Sequence, residues 1–476
     1  MRGSASPNAL PARSGVCLGG TGAPHARSGR SAARSARDEA RVSVSHSITS
    51  DTVSEKLLIS HSGPLHGTVT VSGAKNSVLP IMAASLLTNE RSIIGNVPSV
   101  TDVHSMGEIL RRLGAEVTLT GDRLVVNPNA YQGTVASYDL VSRMRASICV
   151  LGPLLARHGK AQVSMPGGCV IGPRPIDLHL KGMQALGVRI TIEHGYVVAV
   201  AGKLKGARVH LGGTFGSSVL ATGNVMMAAT LAEGTTFIEQ AACEPEVIDL
   251  ANFLIAMGAR IEGHGSPMIR VEGVERLHGV EYRIIPDRIE AGTLMIATAA
   301  VGGDVMIEGV RADHLGAVID KLSEAGVHIE KLNGSLRVRA SGQTRAVDVT
   351  TLPFPGFPTD LQAQMMALMA VSKGVSILTE KVYPERFMHI SELNRMGASI
   401  MREGASAIVK GVEQLSGAPV TAPDLRASAA LVLAGLAADN QTELSGLEHL
   451  ERGYQRLEQQ LVQVGAKIRR LGQDEQ

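Results

Sequence analysis

The stretch 165-MPGGCVIGPRPID-177 sets a lone cysteine, Cys169, behind two glycines and five residues ahead of Arg174. A thiol near a fixed positive charge favours its thiolate, which makes the cysteine reactive. Other polar residues of chemical interest recur at two kinds of place. At the starts of apolar helical segments stand Lys75 and Asn76, Arg145, Ser217 and Ser218, Asp287 and Arg288, Asp360, and Asp424 with Arg426. In the loops before amphipathic helices stand Cys169 and Arg174, Glu244 and Glu246, Arg386, and Arg452. Helix N-termini carry unpaired N–H groups and partial positive charge. Convergence of Lys75, Arg145, Arg174, Arg386, Arg426 and Arg452 on such ends would make a polyanion site. Asp287 and Asp424 read equally well as helix caps or as site residues. His179, His389 and His449 show no metal-binding spacing, so no metal is expected.

A sixfold repeat must position these groups. Gly114, Gly187, Gly258, Gly326, Gly397 and Gly465 each end an amphipathic helix and open a strand, at spacings of 73, 71, 68, 71 and 68 residues. Six helix-end glycines at near-constant spacing indicate internal duplication. In each unit another helix, apolar almost all round, precedes a strand; 148-ICVLGPLLA-156 and 429-AALVLAGLAA-438 are examples. Helices apolar on every side are buried. The pattern predicts an α/β protein of two inverse domains, three units each, with helices inside and sheets outside. In the unit ending at Gly258, the apolar helix is expected to run to Gly234 and a strand to cover 235–239.

The 476 residues suffice for two domains, and 44% hydrophobic against 19% charged residues allows large cores. A net charge of +2 argues against nucleic acid or a membrane surface as the main partner. No apolar run is long enough to span a bilayer. Cys17, Cys149, Cys169 and Cys243 form no disulfide-like framework, which points to a reducing compartment and a cytoplasmic protein. Residues 1–53 are Arg-, Ser-, Ala- and Gly-rich without apolar periodicity. They read as a disordered leader or a mis-called start, with a targeting peptide as the alternative.

The motifs 72-SGAKN-76, 144-MRAS-147, 167-GGCVIGPRPIDLH-179, 286-PDRIE-290, 357-FPTDLQAQ-364, 386-RFMH-389, 424-DLRAS-428 and 452-RGYQRLE-458 together make a specific signature. The chain closely resembles the UDP-N-acetylglucosamine 1-carboxyvinyltransferases of the enolpyruvyl transferase family, from about Lys56 to Leu471. The resemblance implies two inverse α/β barrel-like domains joined by a double crossover. The first would cover 75–285 with the Cys169 lid loop, and the second 54–74 and 286–476. It implies transfer of the enolpyruvyl group of phosphoenolpyruvate to the 3′-hydroxyl of UDP-N-acetylglucosamine, by addition and elimination, at the start of peptidoglycan precursor synthesis. Cys169, Asp360 and Lys75 would be catalytic. Lys75, Asn76, Arg174, Arg426 and Arg452 would bind phosphoenolpyruvate. Arg145, Arg174, Pro175, Ile176, Asp177, Leu178, Ser218, Val219, Asp360 and Val382 would meet the nucleotide sugar. No cofactor is implied, and a monomer or weak oligomer is expected. The segment 213-GTFGSSVLAT-222 departs from the family pattern, with Leu220 where a glycine is common. The alternatives are the sister transferase acting on shikimate 3-phosphate and a non-catalytic nucleotide-sugar-binding paralogue. The cysteine loop stands against the first, and the presence of Cys169, Lys75 and Asp360 against the second.

Overall fold

The computed structural model describes residues 55–129, 131–142, 144–165 and 176–472. The six repeat glycines all adopt the left-handed conformation that closes a helix, with φ of 107°, 92°, 104°, 99°, 89° and 103° in chain order. A side chain would be strained there, which explains the residue type.

Among the described residues six four-stranded sheets result. In the third, Arg208–His210 runs parallel to Thr235–Glu239, which pairs antiparallel with Met268–Glu272, itself paired with Arg260–Glu262. Five sheets follow this plan. In the sixth, Lys56–Ser60 takes the third position, between Gln441–Ser445 and Ile468–Leu471. The strand of the third unit covers Thr235–Glu239 as expected, but the helix before it, Val219–Ala229, stops short of Gly234. There the Thr230 hydroxyl folds back onto the Met227 carbonyl at 2.7 Å. The apolar stretch 148–156 is also not one α-helix. A 3-10 turn, Arg145–Val150, precedes the α-helix Leu151–His158. Pro153 has no N–H for the bond to Cys149 that a continuous helix needs.

Among the described residues, helices with no exposed face include Lys75–Ala84, Leu151–His158, Val219–Ala229, Arg288–Val301, Gln362–Ala370 and Leu425–Ala437. In the last, every residue from Arg426 to Leu436 is buried. The sheets lie around them, and strands such as Ser406–Lys410 alternate buried and more exposed positions. This is the inverse α/β arrangement. One hydrophobic core draws on residues from Val78 to Ile284; another joins Leu57–Val71 to Ile289–Ala466. Burial at about 25 cal/mol per Å² of apolar surface makes each core the main stabilising element.

The chain crosses between the cores twice, side by side. Ala74 N donates to the Ile285 carbonyl at 2.8 Å, and Asp287 N to the Ser72 carbonyl at 2.9 Å. Gly73 admits no side chain in this crossover, because a Cβ there would lie 1.6 Å from the Asn96 carbonyl oxygen. The crossover delivers Lys75 and Arg288 to adjacent helix starts.

Candidate active site

Two cation–carboxylate–cation triads face each other where the buried helices begin. In one, Asp360 Oδ1 pairs with Arg386 Nη1 at 2.8 Å and Oδ2 with Arg426 Nη2 at 2.9 Å. In the other, Asp102 Oδ2 pairs with Lys75 Nζ at 2.6 Å and Oδ1 with Arg452 Nε at 3.0 Å. Asn76 links them, its Nδ2 donating to Asp360 Oδ2 at 3.4 Å.

Local structure fixes each member. Asp424 caps the helix Leu425–Ala437 by accepting from Arg426 N at 2.8 Å and Ala427 N at 3.1 Å, and so sets where Arg426 leaves the backbone. Asp287 caps Arg288–Val301 in the same way, and its second oxygen accepts from Lys75 N at 3.2 Å. Both aspartates therefore act as helix caps. Fully buried Glu380 organises the loop that carries Val382. It accepts from Thr351 Oγ1, Val382 N, Tyr383 N and Thr359 Oγ1 at 2.6, 2.8, 2.8 and 2.9 Å. Thr359 Oγ1 in turn accepts from Arg386 Nη1 at 3.0 Å.

The electrostatics follow from this packing. Burial alone would raise the Asp360 carboxyl, but the Arg426 and Arg386 guanidiniums outweigh it and hold the group well below the usual carboxylate range. Burial pulls the Lys75 ammonium below its ordinary value, against the opposing pull of Asp102. Arg426 is 1% exposed and lies over the Tyr454 ring at 5.2 Å. Its Nε and Nη1 meet no hydrogen-bond acceptor among the described residues. Buried donors left unpaired are costly and mark a place built for an acceptor.

Of the nucleotide-sugar candidates, Asp360 belongs to the first triad and Val382 to the loop that Glu380 organises. Ile176 precedes the helix Asp177–Ala185, with Asp177 exposed and Leu178 half-buried. Leu178 borders the hairpin of Gly212–Gly213 and Gly216–Ser217; a Cβ on Gly213 would stand 3.2 Å from it. Ser218 caps Val219–Ala229, accepting from Ala221 N at 3.3 Å. Val219 lines a narrow cavity with Asn76, Leu220, Glu246 and Cys149. Arg145 begins the 3-10 turn Arg145–Val150, and its charge adds to burial in depressing the His179 imidazole to about 3. Cys149 is wholly buried and its thiol is pushed up to about 12, so it stays protonated and inert beside the site. Cys169, Arg174 and Pro175, with the expected lid, lie outside the described residues.

Sequence reasoning missed Asp102, Glu380 and the pairing of Glu246 with Arg288 at 3.0 and 3.2 Å. Asp102 opens the outer helix Thr101–Leu113, the place in the first repeat that matches the polar loops of the others. That equivalence was the available signal.

The family model of EPSP synthase (3-phosphoshikimate 1-carboxyvinyltransferase) matches residues 59–461. UDP-N-acetylglucosamine 1-carboxyvinyltransferase 1 of Caldanaerobacter subterraneus is 54% identical over 415 residues, 87% of this chain and 99% of that relative. The chain belongs to the UDP-N-acetylglucosamine 1-carboxyvinyltransferases, within the broader EPSP synthase family. Another family member, from Methylacidiphilum infernorum, is 52% identical over 88% of this chain and 99% of its own length. Among solved structures, the enolpyruvyl transferase NikO from Streptomyces tendae superposes with a TM-score of 0.79 at 27% identity, covering 88% of this chain and 99% of that one. EPSP synthase from Acinetobacter baumannii superposes with a TM-score of 0.67 at 17% identity over 88% of this chain and 100% of its own, and shares the fold. The family's inverse α/β fold is the one described above.

Proposed function

We propose that this enzyme transfers the enolpyruvyl group of phosphoenolpyruvate to the 3′-hydroxyl of UDP-N-acetylglucosamine and releases phosphate. Relatives 54% and 52% identical over nearly their whole length carry that activity in their names. The observation that carries the reading in the site itself is Arg426, whose buried Nε and Nη1 have no acceptor among the described residues. They stand beside Asp360 and, across Asn76, the Lys75 triad. A dianionic phosphate with a carboxylate suits such a bowl, and guanidinium forks match both groups.

In this reading a proton passes from the Cys169 thiol to the methylene carbon of phosphoenolpyruvate. The sugar oxygen bonds to the neighbouring carbon, which has become electrophilic, and the hydroxyl proton leaves through Asp360. The tetrahedral adduct then loses phosphate, and a methyl proton returns to the enzyme, leaving the enol ether. Until it takes that proton, Asp360 is a carboxylate between two guanidiniums and favours the cation developing at that carbon. Lys75, Asn76, Arg174, Arg426 and Arg452 hold the phosphoenolpyruvate. Arg145, Arg174 to Leu178, Ser218, Val219 and Val382 hold the nucleotide sugar.

The domains divide as 75–285 against 54–74 with 286–476, and the Cys169 loop closes over bound sugar. The cytoplasm is the proposed location; among the described residues no helix is long and apolar enough to cross a membrane. The test is phosphate release from phosphoenolpyruvate with each candidate acceptor. Release should require UDP-N-acetylglucosamine and fall by orders of magnitude in Cys169→Ser. Release with shikimate 3-phosphate instead would refute the acceptor assignment.

A further inference from the structure

Three hydrogen bonds join residues 99–102, beside the first core, to residues 451–455, beside the second. Thr101 N donates to the Glu451 carbonyl at 3.1 Å. Ser99 N donates to Gln455 Oε1 at 3.0 Å, and Arg452 Nε to Asp102 Oδ1 at 3.0 Å. The 451–455 segment is anchored to its own core. Arg470 grips Glu451 at 2.7 Å and Glu458 at 3.0 Å, so the segment moves with the strand Ile468–Leu471. Its far side meets one buried carboxylate, Asp102, which is 2% exposed and whose second oxygen holds Lys75 Nζ at 2.6 Å.

We propose that Asp102 is a positioning residue that couples docking of the 451–455 segment to the charge and aim of Lys75. The inference rests on the reading of Lys75 as an anion-binding group. Lys75 is 7% exposed, and a buried ammonium keeps its proton only beside a carboxylate. Asp102 supplies that carboxylate, while the nearby charges of Arg426 and Arg452 act in the opposite sense. With the segment undocked, both carboxylate oxygens are free to turn to Lys75. With Arg452 docked, one oxygen is taken, and an ammonium with three donors has hydrogens to spare for an incoming anion. The latch thus readies Lys75 when the two halves meet.

The test uses the full chain with phosphoenolpyruvate and UDP-N-acetylglucosamine as probes. Two readouts are taken: phosphate release across pH 6 to 9, and acylation of the Lys75 amine against pH by mass spectrometry. In Asp102→Asn, KM for phosphoenolpyruvate should rise ~tenfold or more at alkaline pH, with a smaller effect on kcat, because a one-unit change in pKa is tenfold in the equilibrium. The penalty should shrink toward pH 6, where Lys75 regains its proton, and Lys75 acylation should begin at lower pH than in the wild type. Asp102→Glu keeps the charge and should restore the acylation profile, with KM in between. Gln455→Ala breaks only the exposed end of the latch and should raise KM about two- to threefold at every pH. Arg452→Gln should shift Lys75 acylation to higher pH, since Asp102 is no longer shared. An Asp102→Asn loss independent of pH with unchanged acylation overturns the proposal. If that variant does not fold, an unchanged acylation profile in Arg452→Gln overturns it. Acylation needs no turnover. A wild type that releases no phosphate therefore refutes the proposed reaction while the Lys75 result still stands.

Discussion

The two triads have one composition and two placements. Arg386, Asp360 and Arg426 all belong to chain packed around the second core, whereas Lys75 and Asp102 sit beside the first core and Arg452 beside the second. Arg386 and Arg426 are almost wholly buried, but the Arg452 side chain is 31% exposed. The first triad is a permanent part of one packed unit. The second joins residues beside both cores. A buried ion pair within one unit contributes to its folding, because removing one member strands a charge. A partly exposed ion pair between two cores contributes less to folding.

That difference is open to attack at several points. The largest effect should come from Arg426→Met, which leaves Asp360 short of a buried partner. Phosphate release should vanish, and urea unfolding should show a loss of about 3–5 kcal/mol. Retained stability would erase the distinction between the triads. Asp102→Asn should be milder for folding, at about 1–3 kcal/mol, since each cation loses one charge-assisted bond. Its main signature should be KM. Arg452→Gln removes a partly exposed partner, so unfolding should move by less than about 1 kcal/mol while kcat/KM falls at least tenfold. A stability loss matching that of Arg426→Met would place both triads in one class.

The smallest effect concerns the crossover that joins the units. Glu290 there accepts from Ser72 N at 2.9 Å and Gln460 Nε2 at 2.7 Å, and burial lifts its carboxyl from 4.5 to about 7. The folded protein then holds a proton that the unfolded chain has released, so this group's contribution to stability falls as pH rises from about 4.5 to 7. Glu290→Gln should flatten that part of the stability–pH profile. An unaltered slope would mean that Glu290 titrates normally.

The fold was legible because its marks are local. A glycine closing a helix is needed wherever the backbone goes left-handed, and six such sites at similar spacing reveal the repeat without any long-range information. The buried helices were legible because they lack a polar face. Their ends were less so: Pro153 splits one helix, and Thr230 closes another before Gly234. In the site, Lys75, Asn76, Asp360, Arg426 and Arg452 stood out as unusual residues at equivalent positions. Asp102 did not, since an aspartate in a first helical turn is ordinary and its value lies in two partners 27 and 350 residues away. Glu380 reads as one more strand residue until four donors are seen converging on it. Such roles come from tertiary contacts that periodicity does not encode.

Arg426, a buried member of the first triad, is aimed at an anionic substrate. A crystal structure with UDP-N-acetylglucosamine and a non-reacting phosphoenolpyruvate analogue tests it most directly. The account predicts anionic oxygens about 3 Å from Arg426 Nε or Nη1, with Lys75 on the same molecule. An analogue bound elsewhere, with those two nitrogens hydrogen-bonded only to protein, would contradict it.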